Sequence, residues 1–233
     1  QFLDKDNQLK PVYETSWGMT TRMIGALIMV HGDDSGLKLP PRIAPTQICI
    51  VPIQQKKEGV LEKAYELRDQ LRKSGFRVKV DDGDKSPGFK FADCEVRGIP
   101  LRIEVGPKDI EAGHAVLVRR DTREKIQVSF EELAEETGKL LEQIQQDMYD
   151  RAKTFLEEHT SSATNMDELV DIVNTKRGFV KAMWCGCREC EDKLKEMSGI
   201  TSRCIPFEQE TISDTCVVCG KPATKMVYWG RAY

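Results

Sequence analysis

The stretch ICIVPIQQKKEGVLEKAYELRDQLRKSGFRVKV, residues 48–80, decides the fold. Ile48-Cys-Ile-Val51 is a short, continuous apolar run, the pattern of a buried strand. Val60, Leu61, Ala64, Leu67 and Leu71 then recur at helical spacing, and Gly75 stands where a C-terminal cap belongs. Phe76, Val78 and Val80 alternate as a second strand. Further along, Leu101, Ile103 and Val105 alternate in the same way, and Ala115 to Val118 form another apolar run. Phe130, Leu133, Leu140, Leu141 and Ile144 mark a closing helix. The order β-α-β-β-β-α over residues 43–147 argues for a mixed sheet of the α/β type.

Residues 1–42 read differently. They hold Thr15-Ser-Trp-Gly-Met-Thr-Thr-Arg22, the apolar run Met23 to Val30, then His31-Gly-Asp-Asp-Ser-Gly36, and they close on Pro40-Pro41. An apolar run after a Gly- and Thr-rich segment suggests a buried helix or strand beside a small-ligand site. About 40 residues cannot build a core of their own, so this region is expected to pack on another part.

Residues 148–233 open helical, pass through the loop Thr160-Ser-Ser-Ala-Thr164 and continue as a second helix from Met166. Gly178 to Trp184 reads as a strand entering a cysteine cluster, and Lys225 to Trp229 as a short strand. Six of the eight cysteines lie at or after Cys185. Two cysteines two to four residues apart offer two thiolates from one turn, and a second such pair closes a tetrahedral zinc site. Cys216-Val-Val-Cys219, followed by Gly220, is one such pair. The other comes from Cys185-Gly-Cys187-Arg-Glu-Cys190. On spacing alone Cys187 with Cys190 is the better knuckle, and Cys185 with Cys190 is also allowed. Four thiolates leave no open position, so the metal is expected to be structural. Cys49 and Cys94 read as plain core thiols, and Cys204 as a spare.

Bulk composition sets limits. Of 233 residues, 39% are hydrophobic and 31% charged, as in a folded, soluble protein. The net charge of −3 means that nucleic-acid binding needs a local basic patch. No apolar run approaches the roughly 20 residues that cross a bilayer. The opening QFLDKDNQLK has charges where a secretion signal has an apolar core, and it lacks an initiator Met. A cytoplasmic chain cut from something longer is the expectation.

Several strings together resemble the prolyl-tRNA synthetase family of class II, in the version with a C-terminal zinc domain. They are Thr15 to Arg22, His31-Gly-Asp-Asp-Ser-Gly-Leu-Lys-Leu-Pro-Pro41, Ser86-Pro-Gly-Phe-Lys-Phe91, Arg102-Ile-Glu-Val-Gly-Pro-Lys-Asp109, Trp184-Cys-Gly186 and Trp229-Gly-Arg-Ala-Tyr233. The resemblance runs in order over essentially the whole chain. It implies three domains: residues 1–42 as the end of a class II catalytic domain, 43–147 as an anticodon-binding domain with a mixed five-stranded sheet flanked by helices, and 148–233 as a smaller α+β zinc-binding domain.

The resemblance also implies roles. Thr20 and Arg22 match ATP-binding positions of class II motif 3, where a guanidinium can fork onto phosphate oxygens. Phe91, Glu95, Arg102, Lys108 and Asp109 match positions near the two adjacent guanines of the proline anticodon. Guanine takes Arg or Lys at O6 and N7, or a carboxylate at its N1 and N2 hydrogens, and an unpaired base stacks on an aromatic ring. From Lys85 to Lys108 five basic residues (Lys85, Lys90, Arg97, Arg102, Lys108) face three acidic ones, net +2. An open sheet surface around Phe91 and Arg102 is therefore expected. The family zinc ligands fall on Cys185, Cys190, Cys216 and Cys219, and Tyr233 matches a terminus that faces the active site.

The implied whole enzyme joins L-proline to its tRNA in a two-step, ATP- and Mg2+-dependent acyl transfer, and it is dimeric. The motif 2 arginine and the proline-holding loops are absent from these residues, so the chain alone is expected to be inactive. Two other readings compete. One is a free-standing, non-catalytic tRNA-binding protein. The other is a zinc-stabilised interaction module without an RNA role.

Overall fold

The computed structural model describes residues 1–231. Its contacts divide the chain into two units, Gln1–Met148 and the residues from Tyr149 onward.

The first unit opens with a two-stranded antiparallel ribbon, β1 (Phe2–Leu3) and β2 (Leu9–Lys10), followed by helix α1 (Arg22–His31). Then come β3 (Ile48–Pro52), α2 (Val60–Lys73), β4 (Val78–Val80), α3 (Pro87–Val96), β5 (Leu101–Val105), α4 (Pro107–Ala112), β6 (His114–Arg119), β7 (Lys125–Ser129) and α5 (Leu133–Glu158). The five-stranded sheet runs β4-β3-β5-β6-β7. β4, β3 and β5 are parallel, and β5, β6 and β7 are antiparallel. Every residue of β3 is buried, as a continuous apolar run in a parallel, two-side-covered strand requires. The apolar faces of α2 and α5 seal one core with Ile48, Ile50, Leu101, Ile103 and Leu117. Gly75, at φ +92, ends α2 in the left-handed region that favours glycine.

The fold class of this unit agrees with the sequence reading, and the element order adds to it. Helices α3 and α4 and strand β7 were not read from periodicity. Each had a local signal. Ser86 caps α3 through its hydroxyl, which accepts from Phe89 N at 3.4 Å, and Pro87 follows at the first turn. At α4, Pro107 again takes the first turn after Gly106, and the cap contact comes from the Asp109 carboxylate, which accepts from Gly106 N. Ile126 and Val128 alternate in β7. The run Met23–Val30 is a helix as expected, but it is not buried: Met23, Ile24, Ile28, Met29 and Val30 are all exposed. Its flanks, including Tyr13, Trp17 and Met19, are exposed as well.

The second unit carries the end of α5, then β8 (Thr160–Ser162), α6 (Met166–Thr175), β9 (Phe179–Trp184), α7 (Arg188–Ser198), β10 (Ile200–Cys204) and β11 (Lys225–Arg231). Its sheet runs β10-β11-β9-β8, with β8 and β9 parallel and the other pairs antiparallel. The segment read as the loop 160–164 begins as strand β8, because its backbone completes the edge of β9. Trp229 is fully buried at the centre, among Leu169, Val180, Leu194 and Ile200. Its indole N–H donates to Ala182 O at 3.4 Å, and Trp184 meets it edge-on at 6.3 Å.

Candidate RNA-binding face and metal centre

Helix α3 and strand β5 bring Phe91, Glu95 and Arg102 together. The Arg102 guanidinium lies 4.1 Å from the centroid of the Phe91 ring. Its Nε and Nη2 donate to one oxygen of Glu104 at 3.0 and 2.9 Å, and Nη1 stands 3.6 Å from Glu95 Oε1. This array is more enclosed than the expected open surface: Arg102 is only 8% exposed. Access comes through a recess of about 190 Å3. Its walls include Glu95, Ile99, Arg102, Val118, Arg123 and Lys125. Such a recess offers a base an apolar wall, the loosely held Nη1 of Arg102 and a carboxylate. Glu95, held only by long contacts, can turn to accept from a guanine edge.

Lys108 and Asp109 sit apart from this array on α4. Lys108 is exposed. Asp109 is partly committed to structure: its Oδ2 accepts from Gly106 N at 2.7 Å, and its Oδ1 lies 3.4 Å from His114 Nε2. Lys90, counted above in the local basic balance, is buried and leaves the surface. Its ammonium donates to Gln55 Oε1 and Asp81 O, both at 2.8 Å. Cys49 and Cys94 lie in the apolar cluster beside Phe91, as expected of core thiols. The Cys49 thiol is pushed up by its hydrogen bond with Cys94 and by burial.

Behind α3, Arg120 ties three segments together. Its Nε donates to Glu95 O at 3.0 Å, and its two terminal nitrogens donate to Asp33 Oδ2 and Oδ1 at 3.0 and 2.6 Å. Leu37 N and Leu39 N donate to Val96 O and Gly98 O, both at 3.1 Å. The loop after α1 is thereby clamped to the end of the helix that carries Phe91 and Glu95. Thr20 and Arg22 lie at the start of α1. Both are exposed; Thr20 Oγ1 accepts from Arg22 N at 3.3 Å, and Arg22 forms no ion pair among the described residues. The structure therefore places them together without enclosing a nucleotide site.

In the second unit, Cys185, Cys190, Cys216 and Cys219 bring their sulfurs within 4.8 Å of one another. The Cys185 sulfur lies 3.7 Å from that of Cys190 and 3.8 Å from that of Cys219. A tetrahedron of thiolates at a metal–sulfur distance of about 2.3 Å has edges of about 3.8 Å. Geometry and donor set both fit a four-thiolate ion, and all four cysteines are free thiols. Burial pushes the Cys216 thiol up, but the N–H groups of Cys219, Val218 and Cys185 outweigh it and bring the group down to about 7. Burial raises Cys190. Gly186, at φ +86, turns the chain after Cys185. Cys187 instead starts α7 with its thiol exposed, its carbonyl accepting from Trp184 Nε1 at 3.1 Å. Cys204 is exposed and outside the cluster. Tyr233 lies outside the described residues.

Sequence reasoning missed the basic residues of the β6–β7 turn. Their signal was the string Arg119-Arg-Asp-Thr-Arg-Glu-Lys125 between two strand patterns. It also missed Glu104 as the main partner of Arg102.

Comparison with known proteins agrees with both units. Residues 47–140 match the model of an anticodon binding domain, and residues 166–233 match that of the prolyl-tRNA synthetase C-terminal domain. All 233 residues align with the proline--tRNA ligase of Lachnoclostridium phytofermentans at 64% identity, covering 48% of that protein. The proline--tRNA ligases of Lachnospira eligens and Clostridium novyi align over the whole chain at 61% and 60%, covering 49% and 48% of their lengths. The chain thus spans about half the length of the curated relatives it matches. With both halves of its fold accounted for in this way, the chain belongs to the prolyl-tRNA synthetase family.

Proposed function

We propose that this chain is the anticodon-reading and metal-stabilised part of an enzyme that attaches L-proline to its tRNA at the expense of ATP. The observation that carries the reading is the pair Glu95 and Arg102 lining a base-sized recess, with the Phe91 ring packed against the Arg102 guanidinium. Phe91 supplies an aromatic face beside the recess, Arg102 a donor for guanine O6 or N7 through the nitrogen that Glu104 does not hold, and Glu95 an acceptor for the N1 and N2 hydrogens. Lys108 and Asp109 on α4 take the neighbouring guanine. The domain division 1–42, 43–147 and 148–233 remains our reading, supported by the contact boundary after Met148.

Cys185, Cys190, Cys216 and Cys219 hold one structural zinc ion, which links β9, α7 and the 216–219 turn. Thr20 and Arg22 serve ATP, with Mg2+, in the longer enzyme, and the exposed apolar side of α1 supports a role for residues 1–42 as one edge of a larger domain. Homodimerisation and a cytoplasmic location belong to the same reading. No helix among the described residues is long and apolar enough to cross a membrane. The chain alone is expected to give no proline-dependent pyrophosphate exchange.

Filter binding with proline-specific tRNA tests the reading. The triple variant Glu95→Ala, Arg102→Ala, Lys108→Ala is expected to lose the preference for this tRNA over one whose two anticodon guanines are replaced. Each lost pairing contributes about 1–3 kcal/mol of discrimination. Equal preference in the variant and the parent chain would remove the anticodon assignment.

A further inference from the structure

The β6–β7 turn carries four cations with two different kinds of partner. Arg119 is committed to Asp121 and Asp147 at 2.9 and 2.6 Å, and Arg120 to Asp33. Arg123 and Lys125 are not committed in this way. Their side chains are 60% and 59% exposed. Arg123 Nη2 lies 3.9 Å from Glu95 Oε2, and Lys125 Nζ lies 3.5 Å from Glu104 Oε2. Those two carboxylates already serve Arg102. Three cations therefore share two carboxylates at the recess, net +1, and the two outer cations face solvent.

The turn that presents them is fixed. Arg123 N donates to Arg119 O at 3.0 Å, and the Arg123 backbone holds φ +64, uncommon for a side chain other than Gly, Asn or Asp. Its guanidinium also donates to the Ser35 hydroxyl. Pairing in β6–β7 sets Lys125 opposite Val118, whose neighbour across the sheet is Arg102. Both outer cations therefore line the rim of the same recess whose inner wall is Arg102.

We propose that Arg123 and Lys125 grip the phosphates of the RNA strand whose bases enter this recess. The inference rests on the anticodon reading above and adds residues to it. Exposed, hydrated cations at a rim contribute through counterion release and carry no sequence information, whereas the enclosed Arg102 and Glu95 face the base. The strand is thus held by its backbone from the turn and read by its edges within.

Fluorescence anisotropy on the whole chain tests this, using a labelled stem-loop with the two adjacent guanines and a second with both replaced by adenine. Single-strand contacts each contribute about 0.7 to the slope of log affinity against log salt. The variant Arg123→Gln, Lys125→Gln is expected to flatten that slope by about 1.4, with its affinity loss about sevenfold larger at about 50 mM than at about 200 mM salt. The loss is equal on both loops, and the charge-keeping variant Arg123→Lys, Lys125→Arg restores the slope. An unchanged slope, a changed guanine preference, or no RNA binding by the parent chain would each overturn the grip. A parent chain that binds both loops equally counts against base reading alone, and the slope still judges the grip.

Discussion

Arg120 illustrates how one side chain can organise a site without touching its ligand. It is buried, and its guanidinium has its donors spent on Asp33 and on the Glu95 carbonyl. The Arg120 guanidinium holds the Asp33 carboxyl well below the usual carboxylate range, against the effect of burial and with help from Lys38. A depressed folded-state value means that ionised Asp33 stabilises the fold above the ordinary carboxylate pKa of about 3.9, and that this contribution is lost as pH falls below it. Asp33→Asn is expected to lose about 1–2 kcal/mol at neutral pH, because buried Arg120 loses its anion while the solvent exposure of Asp33 screens part of the pair. Urea unfolding from pH 7 down to pH 3 should show a shallower acid dependence in the variant. Identical acid slopes would mean that the pair does not contribute as described.

At the scale of elements, the register of β5, β6 and β7 and the seating of α3 decide which residues meet. Helix α3 is held at its start by the Ser86 hydroxyl and at its end by the loop from Asp33 to Leu39. That loop approaches so closely that Gly36 stands against the backbone of Val96, with φ +128. A Cβ there would overlap Val96 Cα, and backbone cannot swing aside as a side chain can. Gly36→Ala is expected to cost at least about 2 kcal/mol, from the left-handed conformation and the clash together. It should also weaken binding of the guanine loop, because Glu95 lies one residue before the displaced contact. Thermal melting and anisotropy check the two effects. Full stability in Gly36→Ala would show that the loop gives way and does not position α3.

At the scale of the whole molecule, the chain is two units with different sources of stability. The first has a core of seventeen buried residues drawn from the sheet, α2 and α5. The second buries less and gathers four thiols at one point. For a unit of this size, losing even about 3 kcal/mol of metal-binding energy lowers the unfolding midpoint by roughly 12–24 °C. Calorimetry after chelation is expected to move the transition of the second unit and leave the first in place. Cys185→Ser should mimic chelation and halve or abolish bound zinc, while Cys187→Ser should keep one equivalent. Retention of zinc by Cys185→Ser, or its loss from Cys187→Ser, would reassign the fourth ligand.

The sequence by itself determined the mixed α/β class, because the apolar run Ile48–Val51, the spacing from Val60 to Leu71 and the alternation at Val78 and Leu101 are local patterns. It also determined the family, through long strings that need no fold to be recognised. Helix α3 escaped periodicity because it is short and spreads its apolar residues over both faces, Phe89 outward and Cys94 inward. Three matters were decided only by the tertiary structure. Lys90 is buried beside Gln55, and no local pattern marks a lysine that a distant amide will satisfy. Spacing alone favours Cys187 and the family resemblance Cys185; the physical reason for Cys185 lies in the fold, where the turn at Gly186 directs its sulfur to partners some thirty residues away. Arg102, Arg123 and Lys125 meet because strand pairing carries them together. Charge interactions act through space, so a linear sequence does not display them until the sheet has formed.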